Sequence, residues 1–198
     1  GPIWDVCGEL GIPVLIHSAD PFPFWQAKNE KNERWYELKE KPNRFYGESD
    51  FIPPFEDIIE EQHRMFKRHP NTTFINAHLG WLAHDLERLG KHLDEHPNVV
   101  TEFGAVIAEL GRQPIAARKF MIKYQDRIMF GKDTYKKEEY YLYFRVLETN
   151  DEYFDYFRKR HAFWKMYGLG LPDEVLKKIY YENAMSLFPS ISKKLISQ

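Results

Sequence analysis

Apolar residues fall along the chain in two alternating patterns. Short unbroken runs occur at Val14-Leu15-Ile16 before His17 and at Thr73 to Ala77 before His78. Two more span Val99 to Phe103 and Arg127 to Gly131. Runs of this length bounded by turn residues predict strands buried on both faces, as in parallel sheets. Between them the spacing becomes helical. Pro2 to Leu10 reads as a short helix, with Pro at a first helical position and Gly11 as its cap. Phe55, Ile58, Ile59 and Phe66 share one helix face, with acids early and Arg64, Lys67 and Arg68 late, before Pro70 and Asn71 stop it. Leu82, Leu86, Leu89 and Leu93 mark a further helix, ended by His96-Pro97-Asn98. Pro114 opens one through Tyr124, and Pro172 opens the last, to about Leu187.

Two stretches break the rhythm. Residues 20–54 carry Pro, Asn, Gly and interleaved charges, with a helical piece near 31–40. Residues 135–170 include a tyrosine-rich piece, Tyr140 to Leu147, that reads as strand-like. Both are longer than ordinary connections, and such insertions are usually lids or binding loops. The strand–helix alternation predicts an α/β domain with a parallel sheet and right-handed crossovers. No Gly-rich phosphate loop follows a strand, which weakens a nucleotide-binding open sheet. Polar residues at the ends of several strands favour a (β/α) barrel, whose sites are built there. A closed barrel takes eight strands, and four are legible, so the expectation is one domain over 1–198, the C-terminal part of a (β/α)8 TIM barrel with insertions at 20–54 and 135–170. Either a first half precedes it or another chain supplies the missing strands. The opening Gly-Pro would suit a cut chain.

Composition narrows the picture. The chain has 198 residues, 43% hydrophobic and 29% charged, which excludes a disordered or collagen-like polymer. A net charge of −2 argues against a nucleic-acid partner. No apolar run approaches the roughly 20 residues of a membrane span. The single cysteine, Cys7, allows no internal disulfide and no Cys-based zinc site; it suits a reducing compartment such as the cytoplasm and reads as buried packing on the first helix.

The candidate chemistry lies at the strand ends. His17 and His78 end two strands and Asp133 follows the fourth; two imidazoles and a carboxylate at one barrel mouth are suitable metal ligands or acid–base groups. Glu102 ends the third strand, where it could orient a ligand or bind substrate, or equally face a helix as an alternating strand residue. Arg112 could grip a substrate carboxylate or form a surface salt bridge. Trp81 could line the pocket or pack in the core. His63, His69, His84, His92 and His96 fall on helix faces or ends, where solvated or capping roles suffice. His161 lies in the basic run Arg158-Lys159-Arg160, read as a solvated face.

Four segments in order carry a resemblance: Pro13 to His17, Phe74-Ile75-Asn76-Ala77-His78-Leu79-Gly80, Arg127 to Asp133, and Tyr181-Glu182-Asn183-Ala184. Together they resemble the C-terminal half of the amidohydrolase superfamily, in its amidohydrolase-related branch, over about residues 3–189. Ala108 to Pro114 resembles a hydrolase-like subgroup of it. The resemblance implies a divalent metal, zinc by expectation, held by His17 and Asp133, with Asp133 also handling the proton of water. It implies His78 as acid–base group or second ligand. The family's first strand carries a His-x-His metal pair, and no His-x-His occurs here. Lys132 replaces a threonine common before the aspartate and could bind an anion or point outward. The expected activity is metal-dependent hydrolysis of a small carboxylic ester, lactone or amide. The alternatives are decarboxylation of a small aromatic or muconate-like acid, or a non-catalytic barrel fragment. The partners implied are a small-molecule substrate and the missing half of the barrel or a second copy.

Overall fold

The computed structural model describes residues 1–158 and 163–189. The chain opens with α1 (Pro2–Glu9), β1 (Val14–Ile16) and α2 (Trp35–Glu40), the last inside the first long excursion. There follow α3 (Phe55–Arg68), β2 (Phe74–Asn76), α4 (Leu86–Glu95), β3 (Val99–Glu102), α5 (Ile107–Gly111), α6 (Pro114–Lys123) and β4 (Ile128–Met129). The second excursion holds α7 (Lys137–Glu148) and the strands β5 (Phe154–Asp155) and β6 (Lys165–Met166). Last come α8 (Asp173–Lys177) and α9 (Asn183–Leu187), joined by a wide helical turn over Lys178–Glu182.

The four long-range strands form one parallel sheet in the order β1-β2-β3-β4. Val14 sits beside Phe74, Phe74 beside Val99, and Thr101 beside Ile128. Each strand is laid next to its predecessor across a helical connection, so all four C-terminal ends point to one edge. The expectation of adjacent parallel strands holds, although β4 is shorter than the run that announced it. β2 is buried throughout. α3 covers the sheet with Phe55, Ile59, Gln62 and Phe66, and α4 with Leu86, Leu89 and Leu93. α4 begins at Leu86, after the Asp85 carboxylate caps the Arg88 N–H at 3.0 Å. Leu82, expected on this helix, precedes it in a buried turn.

The Tyr-Glu-Asn-Ala segment ties the last helix to the sheet. The Asn183 amide donates to the Ile128 carbonyl at 2.7 Å and the Gln125 carbonyl at 2.6 Å. The wide turn frees the Ile179 carbonyl, which accepts the Phe130 N–H at 2.7 Å.

Three expectations need correction. Tyr140 to Leu147 is not strand-like but the body of α7, a helix. Tyr140, Tyr143, Phe144 and Leu147 recur at helical spacing, and Tyr140, Tyr143 and Phe144 pack around Phe130. The β-propensity of aromatic residues is outweighed by that one-sided burial. Cys7 is half-buried rather than core. Lys132 neither points outward nor faces open solvent: its side chain is 2% exposed and ion-paired with Glu139 of α7. Of the basic run, Lys159, Arg160 and His161 lie outside the described residues.

Candidate active site

His78 sits in a turn of unusual hand. Residues His78, Leu79, Gly80 and Trp81 follow one another with φ of 57°, 54°, 59° and 59°. Left-handed backbone costs roughly 1–2 kcal/mol for each residue with a side chain. Only Gly80 escapes that penalty, and a Cβ there would strike the Asn76 amide. The turn is held by burial of Leu79 and Trp81 and by the His78 N–H, which donates to Glu102 Oε1 at 2.6 Å. Strain concentrated on the end of a parallel strand marks a place where a side chain is being aimed.

The imidazole is aimed between two carboxylates. Its Nδ1 lies 3.0 Å from Glu102 Oε1 and its Nε2 3.4 Å from Asp133 Oδ1. Glu102 is 9% exposed, while the Asp133 side chain is 54% exposed. The second Glu102 oxygen accepts the Gly104 N–H at 2.5 Å. Glycine is required beside it, because a Cβ on Gly131 would collide with the Glu102 carboxylate and one on Gly104 would lie 2.7 Å from it. Burial alone would push the His78 pKa down, but contact with Glu102 and then Asp133 outweighs it and leaves the imidazole above the ordinary histidine value. Burial would push the Glu102 pKa up, and contact with His78 together with the His78 and Gly104 N–H groups holds it below the ordinary carboxylate value.

The other strand-end residues gather on the open side. The exposed His17 ring packs edge-on to His78 with centroids 5.0 Å apart, and Trp81 stands 5.0 Å from His78 and 5.8 Å from His17. The Trp81 Nε1–H is buried and has no hydrogen-bond partner among the described residues. The structure therefore brings together His17, His78, Trp81, Glu102 and Asp133. It takes Arg112 elsewhere: the guanidinium pairs with Glu33 at 2.9 Å and lies 4.0 Å over Trp164.

Sequence reasoning missed a buried ionic knot beside that arginine. Arg34, deep in the first excursion, pairs with Glu37 at 3.0 Å and with Glu109 of α5 at 2.5 Å. Arginine and glutamate in a loop of mixed charge carry no mark of burial, so no sequence signal announced it.

A four-stranded parallel sheet flanked by helices, with a charged, partly strained cluster on the C-terminal ends of its strands, defines an α/β protein. The sequence model of the amidohydrolase family matches residues 1–190, and the chain belongs to that family. No curated protein and no solved structure matches it. Among the described residues no helix is long and apolar enough to cross a membrane.

The donor chemistry bears on a metal. His17 and Asp133 flank His78, and imidazole and carboxylate are proper donors for a divalent ion. Zinc takes three or four protein donors. The pair therefore fits as part of a ligand set and does not complete one.

Proposed function

We propose that this chain carries the acid–base half of a metal-dependent hydrolase acting on a small carboxylic ester, lactone or amide. The observation that supports this most is His78, held between Glu102 and Asp133 on one edge of the sheet. A metal bound by His17 and Asp133, with ligands from outside these residues, would polarise a carbonyl or lower the pKa of a bound water.

The chain's own residues account for the proton traffic. Asp133, exposed at the mouth, accepts the proton of the attacking water at its free oxygen. His78, whose pKa its carboxylate neighbours raise, donates from Nε2 to the leaving oxygen or nitrogen as the acyl bond breaks. Glu102 does not reach the mouth; it positions the ring and stabilises its charge. In this reading Trp81 would line the pocket wall beside His78 and His17.

We propose further that β1 receives additional strands of the same barrel. Among the described residues β1 pairs with β2 alone, and Leu15 on it is 63% exposed. An apolar strand edge of this kind demands a cover.

The test is kinetic, on the intact enzyme with a panel of small esters, lactones and amides. His78→Ala and Asp133→Asn should each lower kcat by about 10²–10⁴-fold, the usual weight of a positioned acid or base. Unchanged turnover in both variants would remove the proposal. Release of CO2 from aromatic acids with no hydrolysis would move the reaction class to decarboxylation.

A further inference from the structure

Three histidines that the candidate active site does not use meet between two outer helices. His63 comes from α3, while His92 and His96 come from α4 and its cap. His63 Nδ1 and His96 Nε2 are 3.3 Å apart. The ring centroids of His63 and His92 are 3.4 Å apart. Glu95 joins them: one ligand atom each from His63, Glu95 and His96 lies within 4.8 Å of the others. The hollow outside the cluster, about 220 Å³, is lined by Ile59, Glu60, His63, Arg64, Arg88 and His92.

We propose that His63, Glu95 and His96, with His92 beside them, form a second transition-metal site of the zinc class that clamps α3 to α4.

The geometry supports it in three ways. Tetrahedral zinc with bonds of about 2.0–2.1 Å holds neighbouring nitrogens about 3.3–3.4 Å apart, and the His63–His96 pair is already at that spacing. His92, on the last turn of α4, sets its ring against that of His63, while His96 follows as the non-helical cap, so the end of α4 brings both imidazoles to α3. His92 Nδ1 is buried with no hydrogen-bond partner among the described residues, an acceptor or donor left without a role. The charges nearby are mostly settled. Arg88 is bound by Glu56 at 2.6 Å and Arg64 by Glu61 at 2.5 Å, while Lys67 and Arg127 act on His96 from outside.

The test isolates this cluster from the sheet-edge residues. Protein carrying His17→Ala and Asp133→Asn is stripped with chelator and titrated with Zn2+ by calorimetry at neutral pH. One equivalent should bind, and added Zn2+ should raise the Tm. In the same background His63→Ala and His96→Ala should each weaken binding by about 100-fold and abolish the rise in Tm. Glu95→Gln, on an exposed side chain that folding does not need, should weaken binding about tenfold. No uptake in the stripped background, or uptake that all three substitutions leave unchanged, overturns the site and leaves an imidazole–imidazole hydrogen bond in its place.

Discussion

The His78 pKa is raised by the carboxylates that face it, and that gives a pH signature. Glu102→Gln removes the carboxylate behind Nδ1 and leaves the ring position, so the His78 pKa should fall. The alkaline limb of the kcat/KM profile, where His78 loses its proton, should move to lower pH, with kcat at low pH less affected. A limb that stays in place would show that Glu102 only fills space. The same pair stabilises the fold within a window. The raised His78 contributes fully below its unfolded value of about 6.5 and loses the contribution as pH rises through its folded pKa. The depressed Glu102 contributes above about 4.3 and loses it as pH falls through its folded pKa. The outer cluster has the opposite sign. His63 and His92, held down to about 3 and about 4, take up protons near 6.5 only when unfolded, so acid favours unfolding below that pH. In chelator, Tm should fall from pH 7 to pH 5, and His63→Gln should flatten that fall. Parallel curves for the two proteins would contradict the assignment.

Elements were legible where one physical signal dominates. The strands were readable because short apolar runs between turn residues have few other uses in a folded chain. α3 and α4 were readable because their buried residues repeat with helical period. α7 was not, because Tyr and Phe favour strands when isolated and become helical here only through packing against Phe103 and Phe130. The turn at His78 left one trace in sequence, Gly80; the other left-handed residues are paid for by tertiary contacts that a sequence does not display. His63, His92 and His96 read as solvated or capping residues in the sequence, and they meet only once α3 lies on α4. Glu102 stood open between two roles, and the structure sets it against His78. The turn can be tested by itself. Gly80→Ala keeps the left-handed φ, adds strain and strikes Asn76, so it should cost about 1–3 kcal/mol in denaturant unfolding. It should also lower turnover, since His78 is aimed by the same turn. Full stability in that variant would mean that the turn relaxes without cost.

Across the whole molecule, the aromatic excursions divide their work. Much of their area packs on the sheet-and-helix body: Phe22 and Trp25 on Phe55 of α3, and Tyr140 and Phe144 on Phe130 after β4. They also meet each other. Tyr36 touches Phe163 with centroids 5.7 Å apart, and Arg34 lies 5.3 Å over Trp164. At the site, Phe22 and Glu33 of the first excursion close with Trp81 and His84 around a hollow of about 10 Å³, room for one water at most. Trp81 in turn packs on His78. The first excursion therefore stands over one wall of the candidate site, and we propose that it acts there as a lid against water. Replacing residues 28–46 by a short Gly-Ser linker removes Arg34 and would strand Glu109 as a buried charge, a defect worth roughly 3–5 kcal/mol by itself. The deletion is therefore made together with Glu109→Gln. In the intact enzyme it should lower the Tm, and it should also reduce kcat/KM by about tenfold or more and broaden substrate preference, because Trp81 loses its cover. If Tm falls while kcat/KM and preference stay unchanged, the segment only braces the outer helices and the lid is excluded.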